Sequence, residues 1–138
     1  MKCQAYLFFG GRCEQALQFY ERALGARITE LMRFSDAPPM AGDGCGPGQM
    51  PPEQIMHATI RIGDDVIMAA DGMPGDSARP AGFALALTVD DAAGAQRVFD
   101  ALGDGGEVRM PLGPTFFAQQ FGIVADRFGV SWMVVLPA

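Results

Sequence analysis

The chain has 138 residues, of which 49% are hydrophobic and 19% charged, a composition typical of one folded domain with a buried core. Acidic residues outnumber scattered basic ones by sixteen to ten, which argues against a nucleic-acid partner. No apolar run approaches the roughly 20 residues of a membrane-spanning helix, and the run at residues 5–9 is too short for a signal peptide. The spacing of Cys3, Cys13 and Cys45 fits neither a disulfide framework nor a zinc site, so we expect a cytoplasmic protein.

The first half of the chain begins with a predicted strand and helix. Residues 4–9 form a short aromatic-rich run typical of a strand. Apolar side chains then recur with helical spacing and stop at Gly25, a residue favoured just after helix C-termini. The members of this stripe are Cys13, Ala16, Leu17, Tyr20, Ala23 and Leu24.

Three further strands are predicted in the first half, with a long loop among them. Residues 26–34 alternate as a strand, and residues 56–62 and 66–71 form two more, joined by the hairpin turn signal Gly63-Asp64. The loop at 35–54 has five Pro and four Gly in twenty positions, which excludes regular structure. Loops of this length are either functional, for example as a lid, or disordered insertions.

The second half repeats this order of elements. A strand at 83–89 precedes a helix whose apolar stripe leads to Gly103. Three more strands are predicted at 107–112, 117–125 and 131–136. The order strand, helix, three strands therefore occurs twice.

Aligning the two helices sets residues 23–25 on residues 101–103, and both triplets read Ala-Leu-Gly. Few other identities survive, so the repeat rests mainly on the order of elements. We predict an α+β fold with two βαβββ modules, at about 1–74 and about 80–138, forming a single domain over residues 1–138. Whether the modules pair within one chain or across a dimer is left open.

Five stretches of sequence are distinctive and together span nearly the whole chain except the loop at 35–54. They are AYLFFGG at 5–11, EQALQFY at 14–20, MHA at 56–58, DDVIM at 64–68 and FGIVADRFGVSWM at 121–133. They resemble the PhnB-like branch of the vicinal oxygen chelate superfamily, which contains glyoxalase, bleomycin-resistance proteins and dihydroxybiphenyl dioxygenase. Arg127 and Phe117 depart from the Pro and Trp usual in that branch, which could alter substrate fit.

The resemblance implies that each module curls a mixed sheet into half of a cup that holds a small molecule, and that the protein is a homodimer. In metal-dependent relatives, four cup-facing positions bind a divalent ion. In this chain those positions fall near Ala5 (or its neighbours Gln4 and Tyr6), on Met68 or Ile67, on Ala84 and on Met133. Met68, Ala84 and Met133 lack the hard oxygen or imidazole donors that such ions require, so we expect no metal and no cofactor.

Four polar residues are candidates for chemistry or ligand binding. His57 is the one histidine in the chain. It is either a catalytic acid–base group or a structural hydrogen-bonding residue. Asp71 could orient His57, bind a polar ligand group, or form the turn before Gly72. Gln119 and Gln120 lie on an aromatic-rich strand; whichever faces the cup would anchor a polar group, and the alternation leaves the choice open.

Aromatic and methionine side chains on the strands complete the candidate site. Core packing is the default role of such residues. A metal-free cup lined by them would nevertheless suit a flat or apolar small molecule. The predicted ligand-binding set is Tyr6, Phe8, Met68, Asp71, Phe117, Gln119, Phe121, Trp132 and Met133.

We therefore predict a metal-free protein that binds a small organic molecule, with catalysis left open. One alternative is a metal-dependent lyase, isomerase or dioxygenase of the same superfamily, with a rearranged site built from His57, Asp71, Glu53 and one of the two glutamines. A second alternative is a protein that sequesters a drug without chemistry, as bleomycin-resistance proteins do.

Overall fold

The computed structural model describes residues 1–37, 50–72 and 80–138. They form two compact units, one within Met1–Ala78 and one within Arg79–Ala138. Each unit contains one α-helix and one open four-stranded mixed sheet, which confirms the prediction of an α+β fold with the βαβββ order occurring twice. Over the described ranges, no helix is long and apolar enough to cross a membrane.

The first unit is a four-stranded sheet with one helix on one of its faces. Its elements are β1 (Tyr6–Phe8), α1 (Cys13–Leu24), β2 (Arg27–Arg33), β3 (Ile55–Ile62) and β4 (Asp65–Ala70), with one 3-10 turn at Phe34–Asp36. The strand order is β1-β4-β3-β2, with β1 parallel to β4 and the other pairs antiparallel. The helix-facing side is buried through Leu7, Ala58, Ile60 and Ala69. The predicted stripe of α1 supplies the other half of this core.

The second unit has the same plan. Its elements are β5 (Leu85–Thr88), α2 (Ala92–Gly103), β6 (Glu107–Gly113), β7 (Ala118–Ala125) and β8 (Ser131–Pro137). The strand order is β5-β8-β7-β6, and β5 runs parallel to β8. The Asp91 side chain caps α2 by accepting a hydrogen bond from the Gly94 N–H at 2.6 Å. Gly122 of β7 lies so close to α2 that an added Cβ would come within 2.7 Å of the Phe99 ring.

The two helices end differently, although both end regions read Ala-Leu-Gly. Gly25 follows α1 in the left-handed conformation, with φ 65°, and its N–H donates to Glu21 O. Gly103 is instead the last residue of α2, and Asp104 follows at φ −66°. The residue with a left-handed backbone conformation is Gly105, two positions after the last residue of α2, with φ 77°. A left-handed glycine therefore directly follows α1 but not α2.

The residues that flank the Pro/Gly-rich loop are hydrogen-bonded to each other. The Phe34 N–H donates to Gln54 O, and the Ser35 N–H donates to Pro52 O, both at 3.0 Å. Residues 38–49, which include the glycine-rich stretch, lie outside the described residues. The choice between a lid and an insertion therefore stays a prediction.

Candidate functional site

The far face of the first sheet is the face opposite α1. Several predicted site residues meet there. Residues paired across neighbouring strands project to the same side of a sheet. The register pairs Tyr6 with Met68 and Met68 with Thr59. It also pairs His57 with Met32. Side chains from all four strands are thus brought together.

The Tyr6 hydroxyl is hydrogen-bonded to the His57 imidazole, with 2.9 Å between Oη and Nδ1. The two ring centroids are 5.7 Å apart. Burial and the neighbouring Cys13 raise the pKa of Tyr6 above its ordinary value of 10.0, so its hydroxyl keeps its proton at neutral pH. His57 therefore has a protonated phenol as a direct partner.

The other nitrogen of His57 faces polar groups on β3 and β2. Nε2 lies 3.3 Å from Thr59 Oγ1 and 3.9 Å from Glu30 Oε2. Thr59 Oγ1 is in turn 3.5 Å from Glu30 Oε2. These contacts form a polar chain, defined as Tyr6–His57–Thr59–Glu30, across the far face. The sequence reasoning missed both Thr59 and Glu30.

An aromatic surface adjoins this polar chain. Phe8 stacks against Tyr6 with ring centroids 5.1 Å apart and an interplanar angle of 27°. Phe8 is 50% exposed, Tyr6 is 37% exposed and Met32 is 44% exposed. Met68 is half-buried beside Tyr6. The far face thus presents a partly exposed stack of two rings next to a set of hydrogen-bonding groups.

Asp71 lies elsewhere, in the interior of the first unit, where it is 3% exposed. Its Oδ1 accepts hydrogen bonds from the N–H groups of Gly11 at 2.9 Å and Cys13 at 2.8 Å. Its Oδ2 accepts from the Ile55 N–H at 2.8 Å. The carboxylate thereby caps the N-terminus of α1, whose own N-cap residue, Arg12, makes no side-chain capping bond. This geometry favours a structural role for Asp71 over orientation of His57 or ligand binding.

Burial and the Asp71 carboxylate also raise the pKa of the Cys13 thiol. The thiol of this buried cysteine therefore stays protonated at neutral pH.

Two predicted aromatic residues of the second unit, Phe117 and Phe121, belong to a cluster of three phenylalanines. Phe117 and Phe121 meet edge to face with centroids 5.1 Å apart, and Phe116 contacts Phe117 at 5.2 Å. Exposure falls from 99% at Phe116 through 49% at Phe117 to 9% at Phe121. The cluster begins in the turn between β6 and β7 and ends at Phe121 on β7.

Trp132 and Met133 lie on opposite faces of the second sheet. Trp132 is 1% exposed, and its Nε1–H donates to Asp126 Oδ2 at 2.9 Å. Met133 is half-buried and pairs with Ile123 and Ala86. The surroundings of Trp132 favour core packing, whereas Met133 lies on the same side as Phe121.

The two glutamines have different surroundings. The Gln119 side-chain amide donates to Pro137 O at 2.9 Å. Gln120 pairs with Leu136, which is buried, whereas Phe121 pairs with Val135. Gln120 therefore lies on the side opposite Phe121.

The positions that the resemblance assigns to a metal do not fit one. In the first sheet, the neighbours are the phenol of Tyr6 and the thioether of Met68. In the second, Met133 has a thioether and pairs with Ala86, and the assigned Ala84, which lies just before β5, has only a methyl group. Thioether and methyl groups are not ligands for such divalent ions, and the Tyr6 phenol is protonated and hydrogen-bonded to His57. Within residues 1–37, 50–72 and 80–138, no three His, Cys, Asp or Glu side chains are grouped as a metal site would need.

Comparison with known proteins establishes the class. Residues 3–134 match the Glyoxalase/Bleomycin resistance protein/Dioxygenase superfamily. The two βαβββ units with identical strand order agree with that match. The chain belongs to this superfamily.

Individual relatives support the PhnB-like branch. The chain is 38% identical over 138 residues to Protein YjdN of Escherichia coli, covering 97% of this chain and 94% of YjdN. It is also similar to the crystal structure of PA1353 from Pseudomonas aeruginosa, with 38% identity, a TM-score of 0.85, and 99% and 98% of the two chains covered. The PhnB protein from Bacillus cereus is 27% identical, with a TM-score of 0.76 and 99% of each chain covered.

Proposed function

We propose that the protein binds a small, flat organic molecule on the far face of the first sheet, without a metal ion. The observation that carries the proposal is the stacked pair Tyr6 and Phe8, whose rings are 37% and 50% exposed beside the polar chain. Exposed aromatic area costs free energy in water, at about 25 cal/mol per Å², and a ligand that covers it recovers that energy. Binding sites typically combine such an apolar surface with a few directional polar groups.

The chemistry of the far face supports a ligand that is held by ring contacts. Tyr6 and Phe8 are stacked at an interplanar angle of 27°, and a flat ring system can pack against the exposed part of this stack. The flexible thioethers of Met32 and Met68 adapt to varied shapes. Met68, Ala84 and Met133 lie at positions that bind a divalent ion in metal-dependent relatives. None of them has a hard donor atom, which supports binding without an ion.

Indole is a suitable probe because it is flat, neutral and small. We expect indole to perturb the amide resonances of β1, β3 and β4 in two-dimensional NMR titrations, equally with and without EDTA. Phe8→Ala should weaken this binding several-fold because it removes one of the two rings. Phe83→Ala is the matched control, since Phe83 is 49% exposed but lies in the other unit.

Two outcomes would contradict the proposal. Perturbations that avoid β1, β3 and β4 would show that the far face is not the binding surface. Binding that disappears with EDTA and returns with a divalent ion would favour the metal-dependent alternative.

A homodimer and a cytoplasmic location remain predictions from the sequence.

A further inference from the structure

We infer that the polar chain fixes the Tyr6 hydroxyl oxygen as a hydrogen-bond acceptor toward the ligand, so that the far face selects flat molecules that carry an N–H or O–H donor. This inference rests on the proposed function and specifies the class of ligand.

The proton of Tyr6 is committed to His57. The separation of 2.9 Å between Oη and Nδ1 is that of a good hydrogen bond. A phenol carries one hydrogen and two acceptor lone pairs. When that hydrogen is donated to Nδ1, Oη can only accept from any further partner. The raised pKa of Tyr6 agrees with this protonated state.

The remaining members of the polar chain orient the imidazole. If Nδ1 accepts from Tyr6, the proton of the neutral ring is on Nε2, which lies 3.3 Å from Thr59 Oγ1 and 3.9 Å from the Glu30 carboxylate. The Thr59 hydroxyl donates to Glu30 Oε2 at 3.5 Å, which leaves its lone pairs for the Nε2–H. A carboxylate can only accept, so Glu30 sets one direction for every hydrogen bond in the chain.

The ligand surface follows from this direction. The stacked rings of Tyr6 and Phe8 offer an apolar contact, and Oη marks its polar edge. A ligand donor group at that edge gains a hydrogen bond, whereas an acceptor would face the lone pairs of Oη. The Glu30 carboxylate, whose side chain is 69% exposed, further disfavours an anionic ligand.

The first test uses His57 itself, which is the one histidine of the chain and therefore gives a single imidazole signal. Two-bond ¹H–¹⁵N correlation spectra, recorded where the ring is neutral, distinguish the two tautomers. We expect the Nε2–H tautomer in the wild type and growth of the Nδ1–H tautomer in Tyr6→Phe, which keeps the ring but removes the donor. A wild type with mainly Nδ1–H would overturn the inference.

The second test compares indole with 1-methylindole, which has nearly the same shape but lacks the N–H donor. We expect indole to bind the wild type roughly 3- to 10-fold more tightly, as one hydrogen bond allows. The preference should vanish in Tyr6→Phe and persist in Phe83→Ala. Equal binding of both probes to the wild type would overturn the inference and leave the proposed function standing. Failure of both to bind the far face would overturn the proposed function, and the inference with it.

Discussion

The two units share one architecture but differ in what their sheets present. Both have the order strand, helix, three strands, and in both the last strand lies between the first and the third. The first unit carries a hydrogen-bonded polar chain from Tyr6 to Glu30 on its far face. The corresponding side of the second unit carries the phenylalanine cluster that includes Phe117 and Phe121. The two units therefore share a backbone plan and differ in surface chemistry.

The same contrast holds for the buried carboxylates. Asp71 accepts hydrogen bonds from residues 60, 58 and 16 positions away in sequence. The donors to Asp126 that the structure describes are 2, 4 and 6 positions away. The carboxylate of the first unit joins distant segments, whereas that of the second closes one turn and fixes Trp132 beside it.

Asp71→Asn should produce the largest effect. The amide keeps one acceptor oxygen but replaces the other with an N–H₂ group, which would face a buried backbone N–H. We expect the free energy of unfolding to fall by about 2–3 kcal/mol. Urea unfolding followed by circular dichroism measures this loss.

Two variants sharpen the comparison of the carboxylates. Asp126→Asn should also destabilise, but amide hydrogen exchange should rise mainly around the turn of residues 126–130. Asp65→Asn is the control, because Asp65 is exposed, and it should change stability by less than about 0.5 kcal/mol. A loss in Asp71→Asn no larger than that of Asp65→Asn would remove the structural role assigned to Asp71.

Replacing the glycine of each Ala-Leu-Gly triplet with alanine should change the free energy of unfolding in opposite directions at the two helix ends. Gly25→Ala should destabilise by about 1 kcal/mol, because an L residue is strained at φ 65° although its Cβ would meet nothing within 4 Å. Gly103→Ala should stabilise by up to about 1 kcal/mol, because it lies inside α2 and its Cβ would contact Val124 at an ordinary 3.5 Å. Changes of the same sign in thermal unfolding would contradict the difference in the two helix ends.

The smallest predicted effect concerns an ion pair in the first unit. Arg33 makes two bonds to Glu14, with Nη2 and Oε2 2.5 Å apart and Nη1 and Oε1 3.3 Å apart, and these hold the pKa of Glu14 below its ordinary value of 4.5. A carboxyl with a lowered folded-state pKa stabilises above its unfolded pKa, and this contribution is lost as pH falls through the folded pKa.

Glu14→Gln should therefore lower the thermal midpoint slightly at neutral pH, and the difference from the wild type should shrink in acid and in salt. Glu21→Gln, an exposed change on the same helix, serves as control. A difference between Glu14→Gln and the wild type that stays constant from neutral to acidic pH would refute the assignment.

Much of the fold follows from local patterns in the sequence. The stripe from Cys13 to Leu24 coincides with α1. The hairpin predicted around Gly63-Asp64 agrees with β3 and β4 to within one residue at each end. Periodicity and turn residues determine these features locally, which is why they can be read without the structure.

The polar chain could not be predicted in the same way. Tyr6 and His57 meet because β1 and β3 both flank β4, and that pairing depends on contacts distant in sequence. A bulge between Ile28 and Glu30 changes which side chains of residues 26–34 share a face of the sheet. The simple alternation in the sequence therefore did not indicate Glu30. The presence of Glu three positions before a strand end carries no signal by itself.

The inner position of β4 has a consequence for how the site comes into being during synthesis. Both Tyr6 and His57 leave the ribosome before the strand that separates them, so β1 has no partner until residues 65–70 have been made. A fragment that ends before β4 retains both side chains but lacks the strand that sets their spacing. The contact between Tyr6 and His57 is therefore a feature that the chain acquires only with the last strand of its first unit.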